Sequence, residues 1–198
     1  MRYFIYVWIG LAVFACLVAA PAMADDDVED VSQLLKNKID SVLTVLEAEN
    51  MAEAEKKEKI MSMVEPLIDF ELMARLTLGR AHWSSLSDEQ QKRFIDLFVG
   101  RLKASYLDKT TFYSDQKVIY HPAVKRGGKI HVPMDVVTGE KTAEVLYKFY
   151  SAGEKWRIYD VEINGVSLIK SYRSQFNEIL RNGTVKDLCD ELKRSASE

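Results

Sequence analysis

Lys129-Ile130-His131-Val132-Pro133-Met134-Asp135-Val136-Val137-Thr138-Gly139-Glu140-Lys141-Thr142-Ala143-Glu144-Val145-Leu146-Tyr147-Lys148-Phe149-Tyr150 is the stretch that decides the fold. In its first half Ile130, Val132, Met134 and Val136 alternate with Lys129, His131, Pro133 and Asp135, the period of two that marks a half-buried strand. Thr138-Gly139 breaks the run, and Lys141 to Tyr150 is again rich in β-formers, so the two halves read as a hairpin. Gly127-Gly128 upstream and Ala152-Gly153 downstream supply two more turns, joining Lys117-Val118-Ile119-Tyr120 on one side and Lys155 to Ile163 on the other. Four strands in an antiparallel meander follow. Pro133 cannot donate to a ladder, which puts its strand near an edge or at a bulge. Which face points inward stays open, because a one-residue change of register reverses it.

Outward from the meander the period is helical. Upstream, Val28, Val31, Leu35, Val42 and Leu46 recur at threes and fours. Met51 to Val64 carries mixed charges and ends at Pro66. Asp69 caps a short helix that Gly79 stops, and Ser87-Asp88-Glu89-Gln90 is a capping box. The helix it opens has Phe94, Phe98, Leu102 and Tyr106 at i, i+4 spacing and ends near Asp108. Downstream, Asn164-Gly165-Val166-Ser167 reads as a strand-to-helix junction rather than a nucleophile site. A helix with Leu168, Tyr172, Phe176, Ile179 and Leu180 on one face then runs to Asn182-Gly183, and Thr184 caps a last amphipathic segment. Helices, a meander and helices again make an α+β plan, a four-stranded curved antiparallel sheet covered by helices.

The first 24 residues stand apart. Met1 to Ala20 holds one charge, Arg2, in an apolar run; Ala22-Met23-Ala24 has the small-x-small pattern of a signal peptidase site, and Asp25-Asp26-Asp27 follows. Residues 1–24 are therefore expected to be a cleaved signal peptide and residues 25–198 a single domain, with a lipoprotein box at Cys16 and an uncleaved anchor as the alternatives. Beyond the leader 26 basic side chains stand against 30 acidic ones, and no basic aromatic stripe is present, which argues against nucleic acid as a partner. Cys189 is the one cysteine left after cleavage, so the domain has no internal disulfide and relies on its core.

The common enzyme signatures are missing: no His-Glu-x-x-His, no Gly-x-Ser-x-Gly, no phosphate-binding glycine loop, no Cys-x-x-Cys. His82, His121 and His131 are dispersed without ligand spacing, and the acids Asp69, Glu71, Asp88 and Glu89 sit where helix N-termini favour negative charge. No catalytic residue, metal ligand or cofactor is assigned. What the chain has in excess is bulky apolar and aromatic side chains, among them Phe94, Phe98, Tyr106, Tyr147, Phe149, Trp156, Tyr159, Tyr172 and Phe176. They either fill the space between helices and sheet or line a cavity for an apolar ligand there.

Two blocks resemble a known family. Asp69-Phe70-Glu71-Leu72-Met73-Ala74-Arg75-Leu76-Thr77-Leu78-Gly79, then Trp83 and Leu86 through Tyr106, are similar to the first half of the MlaC family, also called the toluene-tolerance auxiliary family. Trp156-Arg157-Ile158-Tyr159-Asp160-Val161-Glu162-Ile163-Asn164-Gly165-Val166-Ser167-Leu168, followed by Tyr172-Arg173-Ser174-Gln175-Phe176, resembles its most recognisable block. The resemblance implies a periplasmic, non-enzymatic phospholipid carrier of the Mla lipid-asymmetry pathway. Such a carrier works between an outer-membrane lipoprotein-porin complex and the inner-membrane Mla ABC transporter, and encloses acyl chains in an apolar lipid cavity between sheet and helices. Phe98, Leu102, Tyr106, Val145, Tyr147, Phe149, Trp156, Ile158, Val161, Val166, Leu168, Ile169 and Tyr172 are the tail contacts it suggests. Asp160 and Arg173 are read as an ion pair that fixes the junction rather than as headgroup ligands. The alternatives are a carrier of another lipid such as a hopanoid, a secreted hydrolase acting through a cavity acid, and a noncatalytic periplasmic adaptor.

Overall fold

The helices start and stop where short-range chemistry dictates. The computed structural model describes residues 23–107 and 117–195, so the leader through Ala22 lies outside the described residues. Helix α1 runs Met23–Leu46 and α2 Glu53–Val64, followed by a 3-10 turn, Glu65–Leu67, that holds Pro66 in its first positions, where its missing N–H costs nothing. Helix α3, Phe70–Leu78, is capped by Asp69, whose carboxylate accepts from Leu72 N at 2.9 Å, a bond of the type worth about 1 kcal/mol. Gly79 ends α3 at φ 81° and leads into α4, Arg80–Ser84; a side chain there would need a left-handed backbone beside the Arg173 guanidinium. Helix α5, Asp88–Leu102, opens with the full capping box: Ser87 Oγ accepts from Gln90 N and Gln90 Oε1 from Ser87 N. A π-helical turn, Lys103–Leu107, extends it. Helix α6, Leu168–Asn182, is capped by Ser167, and α7 is Val185–Ser195.

The sheet corrects the four-strand expectation. Its strands are β1 Lys117–Tyr120, β2 Val124–Arg126, β3 Lys129–Thr138, β4 Lys141–Ala152, β5 Lys155–Ile163 and β6 Val166–Ser167, all antiparallel. β1 and β2 lie along the same edge of β3, opposite residues 134–137 and 129–131 respectively. They are one edge strand broken at His121-Pro122-Ala123, because Pro122 has no N–H for the ladder. At the other edge Asn164 (φ 50°) and Gly165 (φ 77°) form a tight hairpin that folds β6 onto the end of β5. Asn164 also reaches across to β4, accepting from Glu144 N through Oδ1 at 2.9 Å and donating its N–H to Glu144 O at 2.8 Å. The register shifts between Lys148 and Phe149, where Tyr159 is the extra residue of β5, a bulge that bends β5 against β4.

Register settles which face is inward. Ile130, Val132 and Met134 pair with Phe149, Tyr147 and Val145, and these in turn with Ile158, Val161 and Ile163. This face meets the helices as two separate cores. In one, Val31 and Leu35 of α1 pack on Ile130, Val132, Phe149 and Ile158 of the sheet. In the other, α3, α5, α6 and α7 bury Met73, Leu78, Phe94, Phe98, Tyr172, Phe176 and Leu188 among themselves. Phe98 stacks on Phe94 and meets Tyr172 and Phe176 edge to face, with ring centroids 5.4–6.3 Å apart. Cys189 joins this core; burial pushes its thiol up, so it packs rather than reacts.

The opposite face carries a buried charge. Asp160 accepts from Lys148 Nζ at 3.0 Å, from Ser167 Oγ at 2.8 Å and from Ile169 N at 3.2 Å, and Lys148 also pairs with Glu162. This corrects the expected Asp160–Arg173 pair: Asp160's partner is Lys148, which the hairpin register sets directly opposite it. Arg173 is exposed on α6 beside Gly79. Removing Asp160 leaves Lys148 paired with Glu162 but takes the acceptor from Ser167 Oγ and the Ile169 amide, together about 2–6 kcal/mol at about 1–3 kcal/mol per buried donor left unsatisfied. Asp160→Ala is expected to lower the unfolding free energy by about that amount in urea, and Arg173→Ala by less than about 1 kcal/mol.

Candidate functional site

Where the two cores part, the packing leaves a cavity of about 210 Å³. Its floor is the inward sheet face, Tyr147, Ile158, Val161 and Ile163. Its walls are Met61 and Val64 of α2, Ile68 before α3, Phe70 and Met73 of α3, Leu102 at the end of α5, Lys103 in the π-helical turn and Leu168 at the start of α6. The gap arises because α3 is tethered at one point: Asp69 N donates to Ile158 O at 2.9 Å, and Tyr150 of β4 donates its hydroxyl to the Asp69 carboxylate. From that tether α3 rises into the helical core, while α1 stays on the other half of the sheet.

Of the residues expected to touch lipid tails, Leu102, Tyr147, Ile158, Val161 and Leu168 come together around this cavity. Phe98, Ile169 and Tyr172 stand in the helical core instead, and Phe149 and Trp156 pack with α1. Val145 lines a different depression, and Val166 is exposed at the β5–β6 hairpin, at 57%. The side chain of Tyr106 lies outside the described residues. Met61, Val64, Ile68, Phe70, Met73 and Ile163 were not singled out by the sequence, though Ile68 and Phe70 flank the Asp69 cap that was.

The cavity's electrostatics are simple. Among the described residues, its lining has one hydroxyl, Tyr147, and one charged group, Lys103. Burial pushes the Tyr147 phenol up to about 12, so it stays neutral across the physiological range. Lys103 pairs with Glu65, and both side chains are 39% exposed, which marks the place where the cavity meets solvent. The depression that includes Val145 is larger, about 440 Å³, but it lies at the end of the sheet, where His121, Asp135, Glu144 and Glu162 share its lining with Pro133, Met134 and Leu146, a mixed setting less suited to hydrocarbon. Among the described residues no group of three or more His, Cys, Asp or Glu side chains is placed to hold a metal ion.

Tyr147 also yields a pH test. A phenol whose folded value is raised stabilises the fold below the unfolded value near 10, and that stability is lost as pH rises through about 12. Tyr147→Phe is therefore expected to remove one late-titrating phenol from the 295 nm absorbance titration above pH 11 and to flatten the alkaline loss of stability. An unchanged titration contradicts the buried placement.

The fold, helices packed over a curved antiparallel sheet, has known counterparts. The structure superposes with TM-score 0.74 on a phospholipid-binding protein from Ralstonia solanacearum solved in complex with a phospholipid, at 24% identity, covering 84% of this chain and 96% of that one. In sequence, the chain is 25% identical over 139 residues to the intermembrane phospholipid transport system binding protein MlaC of Haemophilus influenzae, and 27% identical over 125 residues to toluene tolerance protein ttg2D of Pseudomonas putida. These matches cover 67% and 62% of this chain and 64% and 58% of those relatives' own lengths. No helix among the described residues is long and apolar enough to cross a membrane. The family model described as MlaC protein matches residues 36–194, four-fifths of the sequence, and the chain accordingly belongs to the MlaC family.

Proposed function

We propose that this protein is a periplasmic phospholipid carrier that holds acyl chains in the cavity between helices and sheet and moves lipid between membranes without chemical change. The observation that carries the reading is the lining itself, ten apolar side chains with one neutral hydroxyl and one cation at the solvent end. A diacyl lipid crossing water exposes tens of CH₂ groups at about 0.8 kcal/mol each, so a carrier must enclose the tails and leave the charged headgroup near solvent. The family, and the phospholipid transport and toluene tolerance named for the relatives, support the same reading. Export through a signal peptide cleaved after Ala24, receipt and delivery at an outer-membrane lipoprotein-porin complex and the inner-membrane Mla ABC transporter, and maintenance of outer-membrane lipid asymmetry complete it.

Volume adds a mechanical requirement. About 210 Å³ is below the roughly 300–1,000 Å³ of pockets that enclose a drug-sized ligand, so a diacyl lipid enters only if the walls separate. The helical core is tied to the sheet through Asp69 and Asp160, whereas Met61 and Val64 belong to α2, outside that core. Opening on the α2 side leaves both tethers intact.

Filling the floor tests the carrier directly. Overpacking costs about 1–3 kcal/mol, so Val161→Trp is expected to slow vesicle-to-vesicle phospholipid transfer roughly tenfold while the circular dichroism spectrum is retained. Val166→Trp, exposed at the β5–β6 hairpin, is expected to leave transfer unchanged. Equal transfer by the two variants contradicts the assignment.

A further inference from the structure

Lys103 is the feature that enclosing hydrocarbon does not explain. It is the one charged side chain lining the cavity among the described residues, next in sequence to Leu102, which is buried in the wall. Successive residues of a helix point about 100° apart, so Leu102 faces the chamber and Lys103 its rim. The π-helical turn Lys103–Leu107 begins at this residue, a distortion that recurs at functional sites. Its ammonium group is held by the Glu65 carboxylate, at the junction of α2 and the 3-10 turn.

We propose that Lys103 anchors the phosphate of the bound lipid and that Glu65 occupies the phosphate's place when no lipid is there; the proposal rests on the carrier reading above. When tails fill an apolar chamber whose solvent end is at Lys103, the headgroup comes to rest beside it. A phosphodiester brings one negative charge, as does the Glu65 carboxylate, so it can take the carboxylate's place at the ammonium while the half-exposed Glu65 side chain turns to solvent. Exposed ion pairs of this kind contribute little net stability, so the exchange costs little. Lysine suits the task because its ammonium binds phosphate as a point charge and accepts headgroups of different shape. The device selects for phosphate and is indifferent to what the phosphate carries.

The test compares two ligands with the same fluorescent acyl chains, phosphatidylglycerol and diacylglycerol, titrated into the purified protein. Lys103→Gln is expected to weaken phosphatidylglycerol binding about tenfold, as for loss of a charge-assisted hydrogen bond, with diacylglycerol unchanged. Glu65→Gln, which frees Lys103, is expected to tighten phosphatidylglycerol binding alone. If both variants change the two ligands equally, or neither variant changes either ligand, the pair is a strut and the proposal fails. Lys103-dependent binding of inorganic phosphate to lipid-free protein, at matched ionic strength, would assign the site to a free anion and also overturn it. Wild-type protein that binds neither fluorescent lipid contradicts the carrier reading itself, an outcome separate from failure of the anchor.

Discussion

Asp160 holds the architecture together. A carboxylate out of water is costly unless its lone pairs are satisfied, and here Lys148, Ser167 and the Ile169 amide do so from two different parts of the chain. Lys148 belongs to the middle of the sheet, while Ser167 and Ile169 are the cap and first turn of α6. One buried acid thus fixes where the helical core begins relative to the strands. Asp69 does the same for α3, capping the helix at Leu72 N while its other oxygen receives the Tyr150 hydroxyl. Both tethers fall along the β5 side of the sheet, and the helices they position are complete without covering the rest of it.

The cavity is a consequence of that arrangement. A single core would draw every apolar side chain into contact, and dense packing is what interiors reach by default. Here α1 satisfies one half of the inward face as far as Ile158, the four-helix core satisfies itself through Phe94, Phe98, Tyr172 and Phe176, and Tyr147, Val161 and Ile163 between them are left lining the cavity. The energetic cost of incomplete packing is what a binding protein accepts so that an apolar ligand can complete the core. Carriage without covalent chemistry needs no more than this chamber, a way to widen it and an end where charge meets water.

Much of this was legible in the sequence where the determinants are local. The Asp69 and Ser87 caps, the Gly79 stop, the period of two in β3 and the helical stripe of α6 depend on residues within a few positions of one another, and each is found where its chemistry puts it. The broken edge strand was signalled by Pro122 and the Asn164-Gly165 hairpin by its dipeptide, but strands of three and two residues give periodicity too little length to register. Long-range facts were not legible. Asp160 pairs with Lys148 because of a register that includes a bulge, and no spacing in the sequence reveals a bulge. Aromatic excess by itself did not distinguish Tyr147, which lines the cavity, from Phe98 and Tyr172, which build the helical core, since that depends on how two cores divide one sheet face.

The central claim is that the chamber exists to hold acyl chains. It is tested most directly by native mass spectrometry of the protein exported and purified without detergent, with extraction and identification of any adduct. The account predicts a stoichiometric phospholipid, released intact. A bare protein that also acquires no lipid on incubation with phospholipid vesicles would contradict it.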